Sequence, residues 1–395
     1  MKKSLIFSLL LIVTLKIEAN PSHGKDETKY EWVASSIEKA LDQANFLVNR
    51  LTDSIGMFPR TVQNGKLILV NKYDWTSGFF PGTLWYLYEL TGDENLRINA
   101  RKYTNQLIDL QSYKKTHDLG FMIYCSYGNA KRLSPEDMDS KILLNTAESL
   151  CSRFSSTVGL IRSWDFGSWT YPVIIDNMMN LELLFRASEI SGNKKYRDIA
   201  ISHADKTLKN HFRSDYSTYH VVDYDTKGNV ISKTTHQGYS DNSCWSRGES
   251  WALYGFTMCY RFTQNARYLE RAENIADYIM NHPNTPKDRI PYWDYDAPQK
   301  FRDASAGAII ASALLELGNY SPKKDKYINY AEQLLKSLSS KKYLAKEGSN
   351  NGFILKHSTG NLPAGVEIDE PLNYADYYYV EALTRYSRIK NIRYK

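Results

Sequence analysis

Residues 196–208 have the sequence YRDIAISHADKTL, in which apolar, small or neutral side chains recur every three or four positions. These positions are Tyr196, Ile199, Ala200, His203, Ala204, Thr207 and Leu208. The spacing follows the 3.6-residue turn of an α-helix and therefore predicts a helix with one buried stripe.

The same stripe recurs along the chain, with copies that begin at Ile37, Leu96, Leu143, Tyr196, Tyr268 and Tyr327. The intervals leave room for second helices, which we place after Gly78, Gly120, Asp176, Trp245, Asp303 and Asp369. Polar turns such as LTGDEN, ISGNKKY and FTQNARY join several of the pairs. Repeats of this length indicate an array, here an all-α single domain of twelve helices in six hairpins. Such an array can close into an (α/α)6 toroid, and a β-hairpin around residues 227–229 is expected in one longer gap.

The composition of the 395-residue chain, with 42% hydrophobic and 24% charged residues, is that of a globular protein and excludes disorder or a multispan membrane protein. Its aromatic content is high in Tyr, with 30 Tyr, 14 Phe and 8 Trp. Tyr and Trp combine an apolar face with a polar group, which suits a wet concave site for a polar ring. The net charge of +6 is mild, and the sequence contains no block of Lys and Arg residues, so we expect no nucleic-acid partner.

The N-terminus has the features of a secretory signal peptide: a basic start, an apolar run and a polar end near Ala19. We therefore predict a signal peptide at residues 1–19, a catalytic domain at residues 20–395, and export, with the periplasm favoured over secretion. No other run approaches the length of a membrane span. The four cysteines are scattered and are interpreted as small core residues, although a disulfide stays open.

Acidic and aromatic residues gather where the second helix of each pair begins. Asp118 and Asp176 can cap their helices, but an apolar flank like that of Asp176 would also raise a carboxyl pKa for acid catalysis. Two such carboxylates on neighbouring helices suit glycoside chemistry. Arg247 can clamp a substrate carboxylate or pair with Glu249 or another acid. Candidate sugar contacts are Trp75, Phe79, Trp164 and Trp251 for stacking, and His220, Gln237 and His357 for hydrogen bonds.

The segments WTSGFFPGTLWYLYE, HDLGF, IIDNMMNLELL, WSRGESWALYGF, HSTGN and DEPLNYADYYYVEAL occur in order through nearly all of the chain beyond residue 19. Together they resemble the unsaturated glucuronyl hydrolases, glycoside hydrolase family 88. The resemblance implies an (α/α)6 barrel without metal or organic cofactor. It also implies a substrate, the 4,5-unsaturated uronic acid that polysaccharide lyases leave at a nonreducing end, with or without sulfate on the neighbouring sugar. In this reaction a carboxyl group protonates the C4=C5 vinyl ether, water adds at C5, and the hemiketal opens to release the remaining oligosaccharide.

The resemblance also assigns roles to residues. Asp176 would be the general acid that then activates water, and Asp118 would be its acidic partner at the uronate hydroxyls. The other implied substrate contacts are Trp75, Phe79, His117, Trp164, His220, Gln237, Arg247, Trp251 and His357. Lys356 stands where some relatives have an aromatic residue, which leaves the subsite of the second sugar open and is compatible with sulfate.

Three alternatives stay open at the level of sequence. An unsaturated rhamnogalacturonyl hydrolase would use the same barrel on pectin fragments, although WSRGESW and HDLGF fit the glucuronyl family better. A sugar 2-epimerase would need paired catalytic histidines, and a non-catalytic sugar-binding module would tolerate Asp176→Asn. The polysaccharide that supplies the substrate, whether chondroitin, hyaluronan, heparin or ulvan, cannot be deduced from the sequence.

Overall fold

The computed structural model describes residues 30–52 and 54–394, so the predicted signal peptide lies outside the described residues. Twelve α-helices occur in this part of the chain. They are α1 (Glu31–Arg50), α2 (Phe79–Thr91), α3 (Glu94–Asn105), α4 (Asn129–Leu133), α5 (Ser140–Cys151), α6 (Leu181–Ser191), α7 (Lys194–Asn210), α8 (Ser246–Thr263), α9 (Ala266–Asn281), α10 (Ala304–Leu317), α11 (Lys324–Leu338) and α12 (Asn373–Lys390). All six predicted stripes lie on the odd-numbered helices, which bury one face and expose the other.

Polar turns end one helix and begin the next, as the sequence predicted. Gly92 and Gly192 end α2 and α6 in the left-handed conformation, which glycine adopts without a steric penalty. The side chains of Asp93, Asn193 and Asn265 then accept a hydrogen bond from a backbone N–H in the first turn of α3, α7 and α9. These caps satisfy donors that every helix start leaves free, and they explain why the hairpins turn at these residues.

The inner helices form a closed ring, which the repeat alone did not establish. Helix α2 contacts a π-helix, π1 (Gly120–Gly128), which contacts α6; α6 contacts α8, α8 contacts α10, α10 contacts α12, and α12 returns to α2. The outer helices α1, α3, α5, α7, α9 and α11 pack against this ring. The predicted (α/α)6 toroid is therefore confirmed, with the hydrophobic core between the two layers.

Two inner helices differ from the prediction in how they begin. The segment after Gly120 starts as π1 before it continues into α4, and the segment after Ile174 starts as a 3-10 helix, Ile175–Asn180, before α6. The last inner helix does not begin after Asp369, because Asp369 lies in a strand and α12 starts only after Leu372.

The described residues also form nine short strands, which lie in the loops of the helical barrel. They are β1 (Met57–Gln63), β2 (Lys66–Asn71), β3 (Phe154–Ser155), β4 (Leu160–Ile161), β5 (Pro172–Ile174), β6 (Val221–Tyr224), β7 (Val230–Thr234), β8 (Ser358–Asn361) and β9 (Val366–Glu370). All pairings are antiparallel, as β1–β2, β3–β4, β5–β6–β7 and β8–β9. The predicted hairpin around residues 227–229 is the β6–β7 turn.

All four cysteines are buried as free thiols, in agreement with their interpretation as core residues. Within residues 30–52 and 54–394, no helix has the length and apolar character needed to cross a bilayer.

Candidate active site

The two predicted catalytic carboxylates do not cap helices. Ile174 is the N-cap of the 3-10 helix that contains Asp176, and Leu119 is the N-cap of π1, just after Asp118. Neither N-cap makes a side-chain capping bond, and neither acid occupies an N-cap position. Asp303, by contrast, does cap α10 by accepting from Ser305 N and Ala306 N. The capping alternative is therefore wrong for the acid pair, and both carboxyl groups are free for another role.

Asp176 is a buried acid with an unpaired oxygen. Its side chain is only 10% exposed, and its Oδ2 atom makes no hydrogen bond to any described residue. Burial raises the pKa of Asp176 from 3.8 to about 7, because a carboxylate loses its hydration. The positive charge of Arg247 opposes this shift, and the Asp118 carboxylate adds to it. A pKa of about 7 keeps a substantial fraction of Asp176 protonated at neutral pH, which is the state that a general acid needs.

His220 lies beside Asp176, and its hydrogen bonds determine which ring nitrogen carries the proton. Its Nδ1 accepts hydrogen bonds from the backbone N–H groups of His236 and Gln237, both at 3.2 Å, so Nδ1 carries no hydrogen. Burial, together with nearby positive groups, holds the pKa of His220 well below 6.5, and the ring is neutral. Nε2 therefore bears the hydrogen and points to Asp176 Oδ2 at 3.7 Å. The ring also stacks on Trp245, with centroids 4.5 Å apart.

His117 and Asp118 form a second unit beside the first. His117 donates from Nδ1 to the Ser163 carbonyl at 2.8 Å, and its Nε2 lies 3.2 Å from Asp118 Oδ1. Burial lowers the pKa of His117, while the Asp118 charge raises it. The other oxygen of Asp118 accepts from the Thr116 hydroxyl at 2.8 Å. Both ends of the unit are therefore held in place.

Asn180 joins the two acidic segments. Its Oδ1 accepts from Phe121 N at 2.9 Å, which fixes the start of π1 against the 3-10 helix that carries Asp176. A Cβ atom on Gly120 would lie only 2.6 Å from Asn180 Cα, so this close approach requires glycine. The glycine of HDLGF and the second asparagine of IIDNMMN thus set the position of Asp118 relative to Asp176.

Three of the four predicted stacking residues, Trp75, Phe79 and Trp251, form a continuous aromatic wall with Phe121. Trp75 lies 5.5 Å from Phe121, and Phe121 lies 5.2 Å from Trp251, measured between ring centroids. Trp251 is fully buried, and its Nε1–H lies close enough to the Asp176 carboxyl to lower the pKa of Asp176, although it makes no complete hydrogen bond to any described residue. Phe79 is also fully buried and packs behind Trp75 at 5.8 Å. The structure thus places the rings of Phe79 and Trp251 in the core, where neither lines an open surface, whereas Trp75 is half-buried.

Arg247 is tied to the protein by three hydrogen bonds. Its guanidinium donates to Asp303 Oδ2 at 2.8 Å, to the Thr359 carbonyl at 2.6 Å and to the Gly360 carbonyl at 2.5 Å. The ion-pair alternative is thus observed, but with Asp303; Glu249 instead accepts from Thr218 N. Arg247 joins α8, α10 and β8 and still lies close enough to Asp176 to lower its pKa.

The remaining predicted contacts, Trp164, Gln237 and His357, bind other residues around the acids. Trp164 meets the His220 ring edge to face, with centroids 5.8 Å apart. Gln237 Nε2 donates to the same Gly360 carbonyl that Arg247 binds. His357 is bonded through Nδ1 to Asp369 Oδ1 at 2.7 Å, and within the described residues no side-chain hydrogen bond joins it to Asp118 or Asp176.

Two comparisons decide the family. The sequence profile named Glycosyl Hydrolase Family 88 matches residues 49–389. The unsaturated glucuronyl hydrolase of Formosa agariphila is 46% identical over 371 residues, which is 91% of each chain. The chain belongs to glycosyl hydrolase family 88.

Solved structures of family 88 enzymes share the fold. One, described as an unsaturated glucuronyl hydrolase specific for heparin, is 51% identical and has a TM-score of 0.90, covering 93% of this chain and 100% of that one. Another, an unsaturated glucuronyl hydrolase mutant from Streptococcus agalactiae complexed with dGlcA-GalNAc6S, is 28% identical with a TM-score of 0.78, covering 92% and 91%. This family 88 chain is therefore a glycoside hydrolase, and these relatives support the glucuronyl prediction over the pectin, epimerase and binding-module alternatives.

Two aromatic residues near the predicted site were not singled out from the sequence. Trp245 stacks on His220, and Tyr374 lies 5.0 Å from Trp75. Both occur in motifs quoted above, Trp245 as the first letter of WSRGESW and Tyr374 within DEPLNYAD. The closeness of Trp245 to Arg247 in the chain, and of Tyr374 to the start of α12, was the signal that could have identified them. A cavity of about 260 Å³ lies among the inner helices, lined by residues that range from Gly120 and Phe121 at the start of π1 to Arg388 near the end of α12, and none of the predicted site residues lines it.

Proposed function

We propose that this chain removes a 4,5-unsaturated uronic acid from the nonreducing end of oligosaccharides that a polysaccharide lyase has produced. The observation that carries the proposal is Asp176, a buried acid with a pKa of about 7 and an unpaired oxygen beside neutral His220. The names of the family 88 relatives support the same substrate. A lyase must act first, because β-elimination creates the C4=C5 bond that the reaction consumes.

In the proposed reaction, the Asp176 carboxyl donates its proton to C4 of the vinyl ether. A water molecule adds its oxygen to C5 and returns a proton to the Asp176 carboxylate. The resulting hemiketal opens as the bond between C5 and the ring oxygen breaks, leaving a ketone at C5. Collapse at C1 to the aldehyde then expels the sugar that followed. Asp176 ends the cycle protonated, so one carboxyl group serves as acid and as base.

The neighbouring groups hold the uronate in this proposal. Asp118 accepts hydrogen bonds from the sugar hydroxyls, with His117 behind it. His220 Nε2–H and Trp251 Nε1–H, neither of which makes a complete hydrogen bond to a described residue, donate to the substrate or to the attacking water. Arg247 lowers the cost of forming the Asp176 carboxylate once its proton has left. Trp75, Trp164, Gln237 and His357 surround the site as the further predicted contacts.

For the source of the substrate, we infer a glycosaminoglycan, with heparin-derived disaccharides as the first to test. The support is the 51% identity to the relative described as specific for heparin. The relative complexed with dGlcA-GalNAc6S shows that a family 88 enzyme accepts a sulfated neighbour. Lys356, the other sequence argument for sulfate, donates to the Lys341 carbonyl at 3.0 Å.

The test is a panel of lyase products from heparin, chondroitin, hyaluronan, ulvan and pectin, sulfated and unsulfated. Hydrolysis removes the conjugated C4=C5 bond, so ultraviolet absorbance falls. We expect the fall with glycosaminoglycan products from the wild type and from Asp93→Asn, which alters an exposed helix cap. Asp176→Asn should abolish it. A constant signal with every product would refute the function, and a fall with pectin fragments alone would replace it by the rhamnogalacturonyl activity.

The pH dependence of kcat/KM gives an independent check. Asp176 must carry its proton when the substrate binds, so kcat/KM should decline as pH rises through about 7. An activity that stays constant well above that pH would contradict Asp176 as the acid.

We also propose that residues 1–19 direct export, most simply to the periplasm, because of their basic start and apolar run. N-terminal sequencing of the protein recovered from the periplasmic fraction checks this. A mature chain that still begins with Met1 would contradict it.

A further inference from the structure

An aromatic surface continues outward from the acid pair through Trp164. The rings of Trp164, Phe166, Trp169 and His236, which we call the aromatic platform, contact one another. Trp164 stacks on Phe166 with centroids 5.1 Å apart and planes 25° apart, and lies 5.4 Å from Trp169. His236 touches all three rings at 5.0, 6.1 and 5.8 Å.

Exposure increases along the aromatic platform. His220, next to Asp176, is buried, Trp164 is half-buried, and Phe166 is 56% exposed. This cluster of rings leads from a buried acid to open solvent. Exposed apolar patches commonly mark binding surfaces, so the aromatic platform is a candidate for one. No stripe of a helix and no core contact accounts for the position of Phe166.

The backbone holds the aromatic platform in shape. Arg153 binds both oxygens of Asp165, at 2.8 and 3.0 Å, just before Phe166. After the platform, Asp223 accepts from Thr170 N and Tyr171 N, which ties the loop to β6 and so to the strand that follows His220.

A glycine allows the loop to fold back on itself. Gly167 adopts φ +84°, and a Cβ atom there would lie 2.5 Å from the Trp169 ring. The close seating of Trp169 under the turn thus depends on Gly167. The platform is a built surface and not a set of loose side chains.

We propose that the aromatic platform binds a sugar ring on the reducing-end side of the scissile linkage, beyond the sugar next to the unsaturated uronate. We infer the occupant from the position of the aromatic platform, which continues outward from the residues beside Asp176. The uronate lies at Asp176 under the proposed function, on which this inference rests, and the rest of the substrate must leave the pocket toward solvent. Aromatic faces offer sugar C–H groups an apolar contact, and the imidazole of His236 can hydrogen-bond hydroxyls. The chain therefore prefers substrates longer than disaccharides.

The experiment compares unsaturated disaccharides and tetrasaccharides, size-fractionated from one lyase digest of the polysaccharide with the highest activity in the panel. For Phe166→Ala and Trp169→Ala, the ratio of kcat/KM for tetrasaccharide to that for disaccharide should fall about 3- to 10-fold, as expected for one lost ring contact. Trp169→Phe keeps a ring and should retain most of the ratio. Phe46→Ala removes a comparably exposed ring on α1 and should leave the ratio unchanged.

Binding can be measured without turnover in the Asp176→Asn background. Tetrasaccharide should perturb tryptophan fluorescence, and adding Phe166→Ala should weaken tetrasaccharide binding more than disaccharide binding. Since Phe166 is exposed, its variant tests the platform even where Trp169→Ala fails to fold.

The outcomes separate the two proposals. A wild type that hydrolyses neither substrate overturns the proposed function and the platform with it. Activity on both substrates with an unchanged ratio in Phe166→Ala overturns only the platform. An altered oligomeric state in gel filtration, with the ratio unchanged, would identify the surface as an interface between copies of the chain and also overturn the sugar subsite.

Discussion

Replacing Asp176 by Asn should abolish activity and also stabilise the protein at alkaline pH. The Asp176 side chain is 10% exposed, and one of its carboxyl oxygens has no partner in the described part of the chain. The native protein must therefore keep a poorly solvated charge whenever Asp176 is ionised. Asn has nearly the same shape and never carries that charge.

The size of the gain follows from the pKa of Asp176 in the two states. It is 3.8 in an ordinary setting and about 7 in the folded protein. Because the folded state holds the proton more tightly, the wild type loses stability as pH rises between these values. A difference of about 3 pH units at about 1.36 kcal/mol each amounts to about 4 kcal/mol. We expect the free energies of unfolding of wild type and Asp176→Asn to agree near the lower pKa and to diverge up to about pH 7, then stay parallel.

Urea denaturation at a series of pH values measures this difference directly. Asp165→Asn is the matched control of opposite sign, because its hydrogen bond to Arg153 lowers the pKa of Asp165. Asp165 thus adds stability above its ordinary pKa and loses it on acidification, so its Asn variant should be the less stable protein at neutral pH. Asp165 is half exposed, and its effect should be the smaller one.

A constant difference between wild type and Asp176→Asn at all pH values would refute a raised pKa. Loss of activity without the pH-dependent gain would mean that Asp176 acts as a carboxylate already ionised at binding. The expected loss in kcat, at least about 100-fold, is the usual contribution of general acid catalysis.

Two further substitutions test the framework around the acids. Arg247→Met should lower the free energy of unfolding by about 3–5 kcal/mol, because it leaves Asp303 buried without its cation. Urea denaturation measures this loss, and the double variant with Asp303→Asn should recover part of the lost stability. A loss under about 1 kcal/mol would contradict the role of the buried ion pair. Gly120→Ala should reduce kcat/KM about 100-fold, because its Cβ would displace Asn180 and shift the acids. Gly92→Ala, at a helix end with open space around it, should lower only stability, and equal kinetics for the two alanine variants would refute the role of Gly120.

The outer layer was predictable because its signals are local. An outer helix buries one face only, so its stripe has the helical period, and its start is marked by a residue such as Asp93 or Asn193 within the polar turn. The inner helices are buried nearly all round, so their sequences carry little period, as in α10 (Ala304–Leu317). The π-helical start at Gly120 packs against Asn180, which lies far along the chain, and no local pattern predicts this contact.

The candidate site was predictable in its residues more than in their arrangement. The motifs identified Asp118, Asp176 and Arg247, but the partner of Arg247 is Asp303, 56 residues away, and the sequence allowed only Glu249 or another, unspecified acid. The tautomer of His220 depends on backbone N–H groups in another loop. Phe79 belongs to a matching motif and yet packs in the core, because a motif records proximity to the site and not exposure of the ring.

Buried polar groups inside the barrel differ in how fully they are paired. Midway along the inner helices, Glu381 accepts from the hydroxyls of Tyr86, Tyr254 and Ser312 and pairs with Arg385, so its charge is satisfied. At the predicted site, Asp176, His220 and Trp251 each keep a buried polar atom without a complete hydrogen bond to any described residue. Such atoms cost free energy in the protein without substrate. Under the proposed function, a bound uronate would offer hydroxyl and carboxylate groups to these atoms, and the same groups would then contribute to its affinity and orientation.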